Sequence, residues 1–360
     1  MATRVLWEHE IVGSNPAAPT IRSTGFRGGA HPASVHGMSP SPVMHVAPFH
    51  PNRPLRVGVQ LPEVEREVRW PEYVAMARRA EELGFDTIWV GDHLLYRFSD
   101  GSTRGPWEVW TLLAAIAAST SRIRLGPLVA STAFHAPAML AKLASTVDEI
   151  SGGRLILGLG AGWNETEFRA FGFPFDHRVD RFEEAFTIIR TLLRDGEIDF
   201  DGRYFQARDC ELRPGPARPG GPPLLIGSRG ERMLRITLPH VDAWNVWFKD
   251  TGNDPSGVPA LRDLVDEMCL EVGRDPAAIE RTVAVQARLT GGRGRAQGDD
   301  APDESTPEPL APLSGPPDMM AETLRAYARE GIGEVQMVLD PISLASLDEF
   351  AAVLAILDAG

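Results

Sequence analysis

From Leu55 onward two hydrophobic patterns take turns along the chain. Short apolar runs bounded by Gly, Pro or Asp predict buried strands, and longer segments with an apolar position about every 3.6 residues predict amphipathic helices. Eight strands are expected, over residues 55–61, 87–91, 123–130, 155–158, 223–227, 243–247, 282–289 and 334–339. The helices expected with them cover 70–83, 107–119, 136–150, 178–193, 231–238, 259–272, 318–330 and 344–357. Strand and helix in strict alternation is the signature of parallel βα units rather than of hairpins. Eight units over about 300 residues fit an α/β chain of the (β/α)8 TIM-barrel type, usually about 250 residues plus insertions.

The structural rival is a doubly wound sheet, suggested by Gly158-Leu159-Gly160-Ala161-Gly162 after a strand. The spacing is wrong for a dinucleotide fingerprint, and the run does not stand in the first βα unit, where that fingerprint belongs. The barrel is therefore the expected fold, with two insertions: a hairpin over 197–213, and residues 291–317, rich in Gly, Pro and acid and expected to be a mobile loop at the C-terminal mouth. Pro127 interrupts the third strand pattern. A proline inside a sheet belongs at an edge or a bulge, and a closed barrel has no edge, so a bulge is expected there.

Residues 1–53 mix Pro, Ser, Gly, Ala and His without a period and are expected to be a disordered extension, leaving 54–360 as the barrel domain. The run Gly13-Ser14-Asn15-Pro16 can be back-translated into a sequence like a transfer-RNA T-arm, which makes Met38 or Met44 the expected true start.

Composition narrows the function. The chain has 360 residues, 43% of them apolar, enough for a sizeable core. Its 36 Lys and Arg against 49 Asp and Glu give a net charge of −13, which disfavours nucleic acid and anionic membranes as partners. Cys210 and Cys269 stand far apart with no metal-ligand spacing, so neither a disulfide scaffold nor a zinc site is expected. No run approaches the roughly 18 apolar residues of a membrane span, and no secretory leader is recognisable, so the expected compartment is cytoplasmic.

In such a barrel the functional groups project from the C-terminal strand ends. Those ends carry Asp92 and His93; Ser131, Phe134 and His135; Ala161, Gly162, Trp163 and Asn164; Gly227, Ser228, Arg229 and Gly230; and Asn245, Trp247 and Lys249. His93 directly follows an apolar strand, and imidazole exchanges protons near neutrality, so it is the candidate catalytic residue. His135 is a weaker candidate further into its loop, whereas His177 and His240 read as surface residues. Ser228 and Glu231 have capping-box spacing, yet a Gly-flanked helix start bearing Arg229 also suits a phosphate. Asn164 with Glu167 makes a second such start. Trp107, Trp110, Trp163 and Trp247 are candidates for an apolar mouth, although the helical spacing of Trp107 and Trp110 also suits packing.

Taken together, Phe85-Asp-Thr-Ile-Trp-Val-Gly-Asp-His93, Ser119-Thr-Ser-Arg-Ile-Arg-Leu-Gly126, Ala141-Lys-Leu-Ala-Ser-Thr-Val-Asp-Glu-Ile-Ser-Gly-Gly-Arg154, Leu157-Gly-Leu-Gly-Ala-Gly-Trp163 and Leu225-Ile-Gly-Ser-Arg-Gly-Glu231 resemble the luciferase-like monooxygenase superfamily. Within it the chain is similar to the branch that uses the deazaflavin coenzyme F420. The resemblance, over about 55–357, implies a flavin-like ring over the strand ends, backed by a strand 3 bulge that often carries a non-prolyl cis peptide. Leu128 and Val129 occupy that place. It implies cofactor contacts from Asp92, Ala161, Gly162, Trp163, Gly227, Ser228 and Arg229, with His93 beside the reactive ring. An acid seen after strand 4 in related sugar-phosphate dehydrogenases is replaced by Trp163, which argues against a sugar phosphate.

The expected activity is hydride transfer between F420 and a small, partly apolar organic substrate. FMN with insertion of one oxygen atom is the alternative, and a catalytically silent flavin-binding protein the remote one. A small-molecule substrate is the expected partner, and assembly as a homodimer is left open. A hydrolase or aldolase barrel would need a nucleophilic Lys or a carboxylate and His cluster at the strand ends, and Lys249 is the sole lysine there. The expected start is checked by the intact mass of the natively expressed protein. A mass beginning at Met38 or Met44 agrees with it, and one that includes residues 1–43 contradicts it.

Overall fold

The parallel sheet closes on itself through one broken strand. The computed structural model describes residues 20–21, 50–98, 100–294 and 310–360. Its main sheet holds β1 (Arg56–Gln60), β2 (Thr87–Val90), β3 (Arg124–Pro127, resuming at Ala130–Ser131), β4 (Leu157–Gly160), β5 (Leu224–Gly227), β6 (Ala243–Val246), β7 (Glu280–Arg288) and β8 (Glu334–Asp340). Neighbours pair in parallel in the order β3-β2-β1-β8-β7-β6-β5-β4-β3. The first half of β3 pairs with β2, the second half with β4, and Leu125 bridges to Leu155 ahead of β4. The fold is the expected TIM barrel. Around it run α1 (Trp70–Leu83), α2 (Val109–Ser119), α3 (Pro137–Ser151), α4 (Glu165–Phe171), α5 (Arg178–Asp195), α6 (Glu231–Thr237), α7 (Val258–Glu271), α8 (Pro317–Arg329) and α9 (Leu344–Asp358).

The third strand, expected over 123–130, is interrupted after Pro127, where the proline led a bulge to be expected. Pro127 offers no N–H, the Leu128–Val129 peptide is cis, and pairing resumes only at Ala130. Val129 thereby turns into the barrel against β4 and β5. A Cβ added at Gly160 would lie 2.7 Å from Val129 Cγ2, and one at Gly227 3.1 Å from Val129 Cγ1. One added at Gly158 would meet Pro127 O at 2.3 Å. The glycines of β4 therefore make room for the bulge. They also explain why β4 lies two residues later than its apolar pattern suggests, since glycines interrupt that pattern.

The N-terminal end of the barrel is plugged by charge. Arg56, Arg124, Glu280 and Glu334 each stand at the start of a strand. Glu334 accepts from Arg56 at 3.3 Å, Arg124 at 3.1 Å and Trp89 Nε1 at 2.9 Å, while Arg56 also pairs with Glu280. Two cations face two anions, so this layer is internally compensated.

Three details depart from the boundaries expected from the sequence. Arg53 belongs to the barrel, since its buried guanidinium pairs with Asp86 at 2.9 Å and Asp358 at 2.8 Å, tying the start of β1 to α9. Most of the extension expected to be disordered, 1–53, lies outside the described residues, yet Thr20–Ile21 pairs with the Glu197–Asp201 strand of the expected hairpin. The centre of the 291–317 insertion also lies outside them. Its far end is laid along β7 instead of hanging free, with Leu313 exchanging hydrogen bonds of 2.8 Å with Gln286 O and Arg288 N. No helix among the described residues is long and apolar enough to cross a membrane.

The fit between Val129 and β4 predicts coupled stabilities. Gly160→Ala lowers unfolding stability by about 1–3 kcal/mol through overpacking, and costs less in a Val129→Ala background, as measured by denaturant titration of all four proteins. Equal costs in the two backgrounds would contradict the fit.

Candidate active site

The loops at the C-terminal strand ends surround a cavity of about 490 Å³, within the size range of small-molecule and cofactor sites. Asp92, His93, Leu128, Val129, Ala161, Gly162, Trp163, Gly227, Ser228 and Arg229 all border it. The ten residues singled out by sequence thus converge on one space from four strand ends. Trp247, Lys249 and Asn245 border it as well.

At the end of β2, Asp92 turns inward and accepts a hydrogen bond of 2.8 Å from the Ser131 amide, latching the resumption of β3 to β2. Burial pushes its carboxyl up to about 7, with that hydrogen bond opposing. The Ser131 hydroxyl is buried and has no hydrogen-bond partner among the described residues. Next to Asp92, the His93 ring meets two carboxylates: Nδ1 lies 2.9 Å from Glu167 Oε1, and Nε2 3.7 Å from Glu63 Oε1. Burial is the largest single influence on the imidazole and opposes its charge. Glu63, Glu167 and Asp92 together outweigh it and hold the pKa of His93 above the usual histidine value.

Sequence reasoning missed Glu63, Tyr96 and the role of Glu167. Glu63 follows β1 without a motif of its own. Its carboxylate accepts from Gln60 Nε2 and Tyr96 Oη, both at 2.8 Å. Gly91 admits it, since a Cβ there would lie 2.6 Å from Glu63 Cδ. Tyr96 arrives on a short hairpin, Tyr96–Arg97 against Thr103–Arg104, too brief to show an alternation pattern. A candidate for Glu63 was available in the sequence, because an acidic residue three positions past an apolar strand stands at the mouth of any such barrel.

Both expected capping boxes are corrected. Helix α6 starts at Glu231 behind Gly230, and Ser228 Oγ instead accepts from the Gly230 amide at 3.2 Å. Asn164 does cap α4, accepting from Thr166 N at 3.2 Å, but Glu167 reaches across to His93 rather than back to the helix start. Arg229 borders the mouth with its side chain 65% exposed and pairs with Asp250 at 3.0 Å.

Of the four tryptophans proposed for the mouth, Trp163 and Trp247 line the cavity. Trp163 meets the His93 ring edge-on, centroids 5.6 Å apart, and His93 and Tyr96 lie 4.7 Å apart. Trp107, just ahead of the α2 cap, instead donates to Val68 O at 2.8 Å, and Trp110, in the first turn of α2, is buried against His135. His135 is not on the cavity wall, and burial lowers its pKa. His177 and His240 are exposed.

Fold and site define a TIM barrel whose strand-end cavity presents a histidine between two carboxylates beside an apolar wall. The family model described as luciferase-like monooxygenase matches residues 44–299, and the chain belongs to that family. A 5,10-methylenetetrahydromethanopterin reductase of Archaeoglobus fulgidus is 29% identical over 61% of this chain and 60% of its own length. An F420-dependent hydroxymycolic acid dehydrogenase of Mycobacterium tuberculosis is 29% identical over 80% of this chain and 81% of its own length. A pyrimidine monooxygenase RutA of Acinetobacter baylyi is 31% identical over 56% of this chain and 55% of its own length. Against the first and third of these the chain covers less than two thirds of the relative. Among solved structures, an F420-dependent secondary alcohol dehydrogenase holding an F420-acetone adduct superposes with a TM-score of 0.70 at 19% identity, over 84% of this chain and 99% of that one. A riboflavin lyase with modified FMN gives 0.71 at 17% identity, over 85% and 91%. Its relatives include reductases, dehydrogenases and monooxygenases, so the chain is an oxidoreductase; F420 is named for one of those relatives, and FMN for a structural neighbour.

His93→Ala is expected to leave cofactor affinity within a few fold and to slow turnover by about 10²- to 10⁴-fold, the usual contribution of a placed acid or base. Equilibrium binding and steady-state rates measure the two separately. Lost binding with normal chemistry in the remaining complex would make His93 a ring-positioning residue instead.

Proposed function

We propose that this chain is an F420-dependent oxidoreductase that moves a hydride between the cofactor and a small, partly apolar organic substrate. The observation that carries the reading is His93, held between two buried carboxylates at the edge of a cavity backed by Leu128 and Val129. The residues present suit the cofactor. Leu128 and Val129 offer an apolar wall for a flat ring. The buried, unpartnered Ser131 hydroxyl offers a hydrogen-bonding group to its edge. Ala161, Gly162 and Trp163 on one side, with Gly227, Ser228 and Arg229 on the other, would hold its phosphate-bearing tail. When bound, F420 supplies two-electron hydride chemistry, and the protein supplies orientation and proton handling.

Hydride transfer to a carbonyl leaves an oxyanion that needs a proton, and the reverse reaction leaves a proton to be removed. His93 gives or takes it, its imidazolium form favoured by Glu63, Glu167 and Asp92. Trp163, Tyr96 and Trp247 cover the substrate side with apolar surface and limit water. Three carboxylates around one imidazole repel anionic substrates, in agreement with the absence of the sugar-phosphate acid at Trp163. FMN with oxygen insertion is the second reading, supported by the pyrimidine monooxygenase relatives and the FMN-containing neighbours.

Titration of the cofactor-free protein with F420 and with FMN, each followed by ligand fluorescence, separates the two. Tighter binding of F420, and its reduction by a secondary alcohol, are expected. Preference for FMN with oxygen consumption would establish the second reading, and binding of either without turnover of any substrate would leave a silent binding protein.

A further inference from the structure

We infer that Glu167 is a positioning residue whose carboxylate fixes the proton of neutral His93 on Nδ1, making Nε2 the nitrogen that exchanges a proton at the cavity. The inference deepens the reaction proposed above and rests on it for the role of His93. The placement of the proton stands on geometry alone.

Glu167 is the third residue of α4, where a glutamate ordinarily bends back to the helix start. Here Asn164 caps the helix, and the Glu167 side chain extends to the end of β2. Its two oxygens have separate tasks. Oε1 lies 2.9 Å from His93 Nδ1, and Oε2 accepts from the Leu94 amide at 2.8 Å. The side chain is only 1% exposed, so water does not compete for these bonds. An ionised carboxylate can only accept, which requires the hydrogen to sit on Nδ1. Nε2 is then the lone-pair nitrogen of the neutral ring. Its nearest carboxylate oxygen, on Glu63, is 3.7 Å away, beyond direct hydrogen-bond range. By gripping both the ring and the following amide, Glu167 opposes the ring flip that would exchange the two nitrogens.

The charge of Glu167 acts in the same direction. The titratable groups that face His93 are Glu63 from the loop after β1, Asp92 beside it, Tyr96 from the hairpin and Glu167 from α4. Without the negative charge of Glu167, burial of the imidazole is opposed by Glu63 and Asp92 alone, and the cationic form loses ground.

The test is long-range proton–nitrogen correlation NMR on the full chain with labelled histidine and no cofactor, across a pH series. The expected result is an Nδ1–H tautomer for neutral His93. In Glu167→Gln, whose amide can donate as well as accept, the tautomer preference weakens and the titration midpoint falls by about 1–2 units. The pH limb of kcat/KM assigned to His93 moves by the same amount, which a purely structural role of Glu167 would not produce. An Nε2–H tautomer in the unmodified protein, or a midpoint that Glu167→Gln leaves in place, overturns the inference. If the variant does not fold, the tautomer of the unmodified protein decides alone. Since the NMR measurement needs no cofactor, it stands even if F420 proves to be wrong. Conversely, turnover of F420 by a chain whose His93 carries its proton on Nε2 would refute only the role of Glu167.

Discussion

The packing of Val129 against the glycines of β4 and β5 is the constraint on which the site depends. A (β/α)8 barrel must close, and here it closes through a strand that cannot run straight because Pro127 has no amide hydrogen to give. The break lifts Leu128 and Val129 out of the β-ladder and into the barrel mouth, which is possible only because Gly158, Gly160 and Gly227 carry no side chain there. Past the break, the Ser131 amide is available to Asp92, and that bond draws the end of β2 toward the wall. His93 follows Asp92 and so stands beside the wall. The wall, the latch and the histidine are consequences of one local packing solution.

The two ends of the barrel differ in charge balance. At the N-terminal end Arg56 and Arg124 face Glu280 and Glu334, so every buried charge has an opposite partner. Breaking such a set by removing one member typically costs about 3–5 kcal/mol, which suits a structural plug. At the C-terminal end Glu63, Asp92 and Glu167 surround a single imidazole. Around the imidazole itself opposite charge is in deficit, and protons on His93 and, near neutrality, on part of the Asp92 population offset it. A pocket that must hold protons to balance its own charge is suited to proton exchange with a substrate.

The barrel was legible because parallel strands buried on both faces leave continuous apolar runs, and amphipathic helices separate them. Strand ends then named His93, Asp92 and the two turns without knowledge of any contact. What stayed hidden depends on three-dimensional proximity. Glu63 follows β1 and Tyr96 opens a two-residue strand, and neither shows that it will share a hydrogen bond. Glu167 carried a signal that pointed elsewhere, since its spacing from Asn164 is that of a helix cap, and only the position of α4 beside β2 sends its carboxylate to His93. Trp107 and Trp110 stay out of the mouth, as their helical spacing suggested: Trp110 packs from the first turn of α2 and Trp107 from just ahead of it.

The most direct test of this account is a crystal structure of the chain with F420 bound. The account predicts a deazaflavin ring lying on Leu128 and Val129, with His93 beside the substrate space and Glu167 still on Nδ1. A ring seated elsewhere in the mouth, with the Leu128–Val129 wall uncovered or His93 out of reach of the substrate space, would contradict it.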